Sequence, residues 1–163
     1  MNGLNQIRTA VIGTLTAAGV PAAEAYPVAA KKHTGPIVTV DVAEAEGKAL
    51  GLGNYLGEYY DEAAGTVREL YGRQMDVAIS LEVRASRAED CETTMEAAAD
   101  ALMGTLPSGL KPGELAWGAA SWDGNSGLFL RGGSLRCRAI FTAEADEESG
   151  TLLDFTLKGV IKT

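Results

Sequence analysis

Histidine is almost missing from this chain: His33 stands alone among 163 residues. A Ser–His or Cys–His catalytic pair would have to use it. It lies in Lys31-Lys32-His33-Thr34-Gly35-Pro36, with no carboxylate close in sequence to orient it. A solvated basic turn is the plainer reading. Cysteine is nearly as scarce, with only Cys91 and Cys137. One histidine and two scattered cysteines leave no zinc-type ligand cluster. Both cysteines sit in apolar surroundings and read as buried, reduced thiols of an intracellular protein, with a disulfide between them left open. No apolar run approaches the ~20 residues that span a bilayer. The first residues show no basic region leading into an apolar core. The expectation is a protein made and kept in a cytoplasm, with no membrane partner.

Positive charge is short as well. Fourteen Lys and Arg stand against 22 Asp and Glu, for a formal net charge of -8. That argues against a nucleic-acid or anionic-membrane binder, which needs a basic face. The remaining chemical motifs are weak. Gly51-Leu52-Gly53-Asn54-Tyr55-Leu56-Gly57 has the wrong spacing for a dinucleotide loop, and no strong helix follows it. Asp146, Glu147 and Glu148 could hold a hard cation, but calcium loops interleave their ligands over about twelve positions. A solvated hairpin tip fits better. Glu58, Asp61 and Glu62 are unremarkable in so acidic a chain, and no spacing points to paired acid–base carboxylates. Trp117 and Trp122 read first as core packing and second as a contact site. No catalytic, cofactor or metal residues are expected.

What the chain does have is enough apolar material for one domain. Hydrophobic residues make up 46%, and a chain of this length buries roughly 70% of its unfolded surface. Leu4, Ile7, Val11, Leu15 and Ala18 share one face of a helix over about 3–18, capped by Asn2 and stopped by Gly19 and Pro21. A short strand is expected over 22–28, then a half-buried one over 37–43, with Val38, Val40 and Val42 on one side. Met75, Val77, Ile79, Leu81 and Val83 alternate with polar residues. They predict a strand with one dry face, hence a sheet covered on one side only. Ser86-Arg87-Ala88-Glu89 reads as a capping box opening a helix over about 87–103, with Ala88, Cys91, Met95, Ala98 and Leu102 inward. Further strands are expected over 114–122, 135–143 and 153–161, with a turn at Asp123–Gly127 and the last two strands forming a hairpin. The predicted fold is two-layer α+β: a mostly antiparallel sheet with two helices on one face.

Residues 44–73 stand apart. They hold Gly47, Gly51, Gly53, Gly57, Gly65 and Gly72, together with Tyr55, Tyr59, Tyr60 and Tyr71, four of the chain's five tyrosines. Glycine loses the most backbone freedom on ordering, and amphipathic rings are enriched where proteins meet. The segment reads as a contact arm or extended hairpin between strands, neither helix nor plain strand.

The order of elements, with "EAYP", "GLGNYLGEYYDE" and "ELYGRQMDVAISLEVRA" in sequence, resembles the tail-terminator or head–tail joining proteins of long-tailed bacteriophages and prophages. The resemblance covers nearly the whole chain as a pattern. It implies an α+β protomer without catalysis that forms a homo-oligomeric ring, commonly a hexamer. The ring caps the tail tube, ends its polymerisation and presents a docking surface to the head-completion or connector protein. DNA passes through without specific binding, and the location is the virion. Tyr55, Leu56, Tyr59, Tyr60, Tyr71 and Arg73 are the contact residues so implied, and Lys31, Lys32 and His33 could pair with acidic residues of a neighbour. Two alternatives stay open: a small enzyme or ligand-binding domain with 44–73 as a lid, or another tail component such as tube, sheath or baseplate.

Overall fold

The computed structural model describes residues 2–24, 35–49, 54–146 and 154–160. In chain order these form α1 (Gly3–Ala17), β1 (Ala22–Ala23), β2 (Ile37–Ala49), β3 (Tyr55–Asp61), β4 (Thr66–Ala85), α2 (Ala88–Gly104), β5 (Leu110–Trp117), β6 (Ser121–Asp123), β7 (Leu128–Asp146) and β8 (Thr156–Leu157). The fold is the expected α+β, with two helices and a mostly antiparallel sheet.

Two long strands organise it. β4 and β7 pair without a register break from Arg68↔Asp146 to Ala85↔Phe129. β2 and β3 follow one another along the outer side of β4. β8, β5 and β6 do the same along the outer side of β7. Alternation then sorts the side chains, because residues opposite each other in an antiparallel pair share a face. One face carries Val38, Val40, Val77, Ile79, Leu81, Val83, Leu135, Cys137, Ala139 and Phe141, all buried. Both helices lie on this face, α1 over β2 and α2 over β4 and β7. Ile7, Val11 and Leu15 of α1, with Cys91, Ala98 and Leu102 of α2, complete the core. Each large aliphatic side chain buried there contributes about 1.5–3 kcal/mol.

Several boundaries differ from the sequence reading. The strand expected over 22–28 is paired only at Ala22 and Ala23, parallel to Val38 and Thr39; residues 25–28 lie outside the described set. β2 runs on to Ala49 through a bulge between Val42 and Glu44. The strand expected over 114–122 is β5, which starts at Leu110, followed by the short β6. β7 begins at Leu128, not 135. β8 is only two residues long, pairing Leu157 with Phe141, so the final hairpin is present but short. The capping box does not form: Arg87 is the N-cap of α2, with no side-chain bond to the helix, and its guanidinium pairs with Glu89 at 2.8 Å. Asn2 caps α1 without a side-chain bond either. Gly19, at φ +81°, takes the left-handed turn that ends α1.

The 44–73 segment is the largest revision. Its described residues are mostly strand: the outer half of β2, all of β3 and the first third of β4. β3 and β4 form a ribbon that continues the sheet, turning through Gly65 at φ +67°. Gly57, at φ +135°, sits at a bulge between Tyr55 and Leu70. These glycines serve the bulge and the turn of a paired ribbon; they do not make a loose loop.

Candidate functional site

Nothing in the ribbon over 54–71 is buried, in contrast to the continuation of β4 into the core. Tyr60 is 62% exposed, Leu56 45%, and Tyr55 and Tyr59 40% each. Register divides them between the two faces. Tyr55 opposes Tyr71 and Tyr60 opposes Val67, on the helix-bearing side; Tyr59 opposes Arg68, on the other. Aromatic rings therefore decorate both surfaces at this end of the sheet.

Two of the expected contact residues, Tyr71 and the exposed Arg73, also make contacts within their own chain. Tyr71 packs edge-on against Tyr55, with centroids 5.6 Å apart. Its hydroxyl donates to Glu69 at 2.7 Å, and its ring leans on the core. Arg73 stacks its guanidinium 4.2 Å from the ring centre of Phe155. Both are held by their own chain. Tyr59 hydrogen-bonds Glu144 on β7, which lifts its pKa above the usual phenol value. The ribbon's turn is fixed by Asp61, which accepts from the backbone N–H groups of Ala63 and Ala64 and from Arg68 at 2.8 Å. Lys31, Lys32 and His33 lie outside the described residues.

The second surface is the helix-free face of the sheet, and the sequence reading missed it. Register aligns Glu46, Asp76, Arg138 and Lys111 in one row across β2, β4, β7 and β5. The next row runs Glu44, Ala78, Arg136. Acid thus lies on the β2 side and base on the β5–β7 side of a cleft of about 710 Å³. The bulge at Ala43 creates this arrangement. Val38, Val40 and Val42 point inward on even numbers; after the bulge Ala45 opposes Val77, and Glu44 and Glu46 turn outward. Like charges at i and i+2 on a strand, Glu44/Glu46 and Arg136/Arg138, were the available signal. Asp76, in the middle, takes Lys48 at 3.0 Å and Arg138 at 3.5 Å. The Lys48 bond, more than any other influence, holds its carboxyl below the usual range.

The residues flagged for chemistry are dispersed. Cys91 and Cys137 are free and buried. Burial pushes the Cys137 thiol up to about 11. The Cys91 thiol donates to the Phe129 carbonyl at 3.4 Å. Trp117 is half-buried against the core, while Trp122 is 59% exposed with its edge on Phe129. Among the described residues no group of three or more His, Cys, Asp or Glu could hold a metal ion, and no helix is long and apolar enough to cross a membrane. A comparison of the chain with protein-family models finds no match, and one with curated proteins finds none either.

Proposed function

We propose that this protein is a structural, non-catalytic subunit that assembles into a ring on the tail tube of a long-tailed bacteriophage, where it ends tube growth and presents the head-docking surface. The observation that carries the reading is the β3–β4 ribbon: it is paired on either side of a single bulge at Leu56, yet it keeps Tyr55, Leu56, Tyr59 and Tyr60 open to solvent on both of its faces. A paired sheet end bearing large amphipathic rings suits subunit contacts. The pattern of elements that resembles tail terminators supports the same reading, as does an acidic chain that lets the DNA backbone slide past. Ring closure follows when head-to-tail contacts repeat with a rotation that divides a full turn. The lid alternative loses ground, because β3 pairs with β4 from Tyr55 to Asp61, interrupted only by the bulge at Leu56, and is not a free flap.

The test is native mass spectrometry with negative-stain microscopy, on the chain alone and with the tube protein of the same phage. The expected result is rings of fixed copy number, commonly six, seated on tube ends whose growth has stopped. A strict monomer at every concentration, with tubes present and still growing, overturns the proposal.

A further inference from the structure

The helix-free face of the sheet carries charge that its own chain does not cancel. Asp76 is neutralised by Lys48 and Arg138. The flanking walls form no ion pair among the described residues: not Lys111 or Arg136, nor Glu44 or Glu46, although Glu46 feels the charge of Lys48, which is bonded to Asp76. Nor do the walls meet one another in the structure. Glu44 and Arg136 are separated by Ala78 on the strand between, two strand spacings or about 10 Å. Ala78 is small and buried and forms the floor of the cleft.

Each wall needs a partner of the opposite charge. A polyanion such as duplex DNA would meet Lys111 and Arg136 and be repelled by Glu44 and Glu46 across the cleft; a polycation meets the reverse. This chain carries both partners, so each wall can take a different neighbouring copy. We infer that a second copy of the protein docks here, with Glu44 and Glu46 of one protomer against Lys111 and Arg136 of the next. The inference rests on the ring reading above, for which it supplies a subunit contact distinct from the tyrosine ribbon. Pairing two different walls is a head-to-tail contact, the kind that closes rings. The position on the sheet agrees. Among the described residues no strand pairs with the outer edge of β2 beyond Thr39 or with the outer edge of β5. Both walls therefore border open edges.

Charges beside an open edge also deter unwanted strand pairing. Charge reversal separates the two roles, because it keeps the protective charge and destroys only complementarity. The experiment compares wild type, E44K/E46K, K111E/R136E and an equimolar mixture of the two variants, by sedimentation velocity at 50 and 500 mM salt, with and without tube protein. All four substituted residues are exposed, so circular dichroism should match wild type. Each variant alone should self-associate at least tenfold more weakly, and the mixture should regain assembly, because unlike walls again alternate. Wild-type assembly should weaken at high salt. Variants that assemble as well as wild type overturn this contact and leave the ring standing. A wild type that never assembles overturns the ring and this contact with it. Duplex DNA bound by wild type and released by K111E/R136E would make the basic wall a DNA site and sink the inference.

Discussion

The side-chain amide of Gln6 on α1 clasps Leu157 on β8: its Oε1 accepts the Leu157 N–H at 2.8 Å while its Nε2 donates to the Phe155 carbonyl at 3.2 Å. One residue thus satisfies two backbone groups of a segment whose own strand is only two residues long, and whose Phe155 and Leu157 side chains are buried. Gln6→Leu keeps the bulk and strands both partners. Each unsatisfied group costs about 1–3 kcal/mol. The expected result is a Tm lower by several degrees at this chain length, with protection from hydrogen exchange lost first at Leu157. A variant that melts with wild type would show that water reaches the junction.

Gly133 on β7 opposes Trp117 on β5, and a Cβ there would overlap the six-membered ring of the indole. The strand glycine leaves room for the aromatic ring that covers it. Gly133→Ala forces the indole out of place and should cost about 1–3 kcal/mol. Gly132→Ala, one residue away on the open face, meets nothing, and should stay within about 0.5 kcal/mol. Chemical denaturation of the pair checks this, since an equal loss from both would place the cost in the strand backbone and not at Trp117.

That glycine also shows where sequence reading stopped short. The stretch from Met75 to Val83 was legible because strict alternation with one dry side has no other solution, and the α2 stripe through Cys91, Ala98 and Leu102 was legible for the same reason at helical period. Glycines were read by their flexibility and not by their place. Gly57 and Gly65 occupy a bulge and a turn, while Gly72 lies within the unbroken β4–β7 ladder and donates to the Asn54 carbonyl at 2.8 Å. Alternation alone ends β2 at Ala43, because the apolar set stops at Val42 on even positions. The change of parity, with glutamates on the next even positions, is what a bulge looks like in sequence. The acid–base rows stayed hidden because Glu46, Asp76, Lys111 and Arg138 meet only through strand register, across separations that no local window spans.

The ribbon can be tested apart from the fold. Leu56, Tyr59 and Tyr60 are exposed, and none belongs to the core cluster. Replacing all three with Ser should therefore change unfolding free energy by no more than about 0.5 kcal/mol per site, while assembly on tube ends disappears. Deleting 51–60 is a harsher version of the same experiment: it removes the partner of β4 residues 66–71 but, among the described residues, no buried side chain, so both helices and the central sheet should persist. If either change unfolds the domain, the rings contribute to the protomer itself and the contact reading fails.

Titration should expose which charged contacts belong to the folded protomer. Asp61 is held below the ordinary carboxylate value chiefly by the Ala64 N–H, then by Arg68; Asp76 chiefly by its bond from Lys48; Asp123 chiefly by the Ser126 hydroxyl. Their stabilisation is complete above the unfolded Asp pKa of about 3.9 and fades as pH falls through the lower folded values. Lys48, Tyr59 and Tyr71 are shifted the other way, chiefly by hydrogen bonds to Asp76, Glu144 and Glu69 respectively. Their share is complete below about pH 10 and is lost as pH rises through the higher folded values. A plot of Tm against pH should be flat near neutrality and bend down at both ends, shallowly, since none of these groups is fully buried and all are screened by water and salt. Asp76→Asn is the informative variant, because it removes an acid-limb group and the partner of Lys48 together and so should soften both bends. Ser126→Ala acts only through Asp123 and should soften the acid bend alone. If the two variants give the same profile, Lys48 and Asp76 do not form a pair in solution, and the centre of the charged face is more open than the register implies.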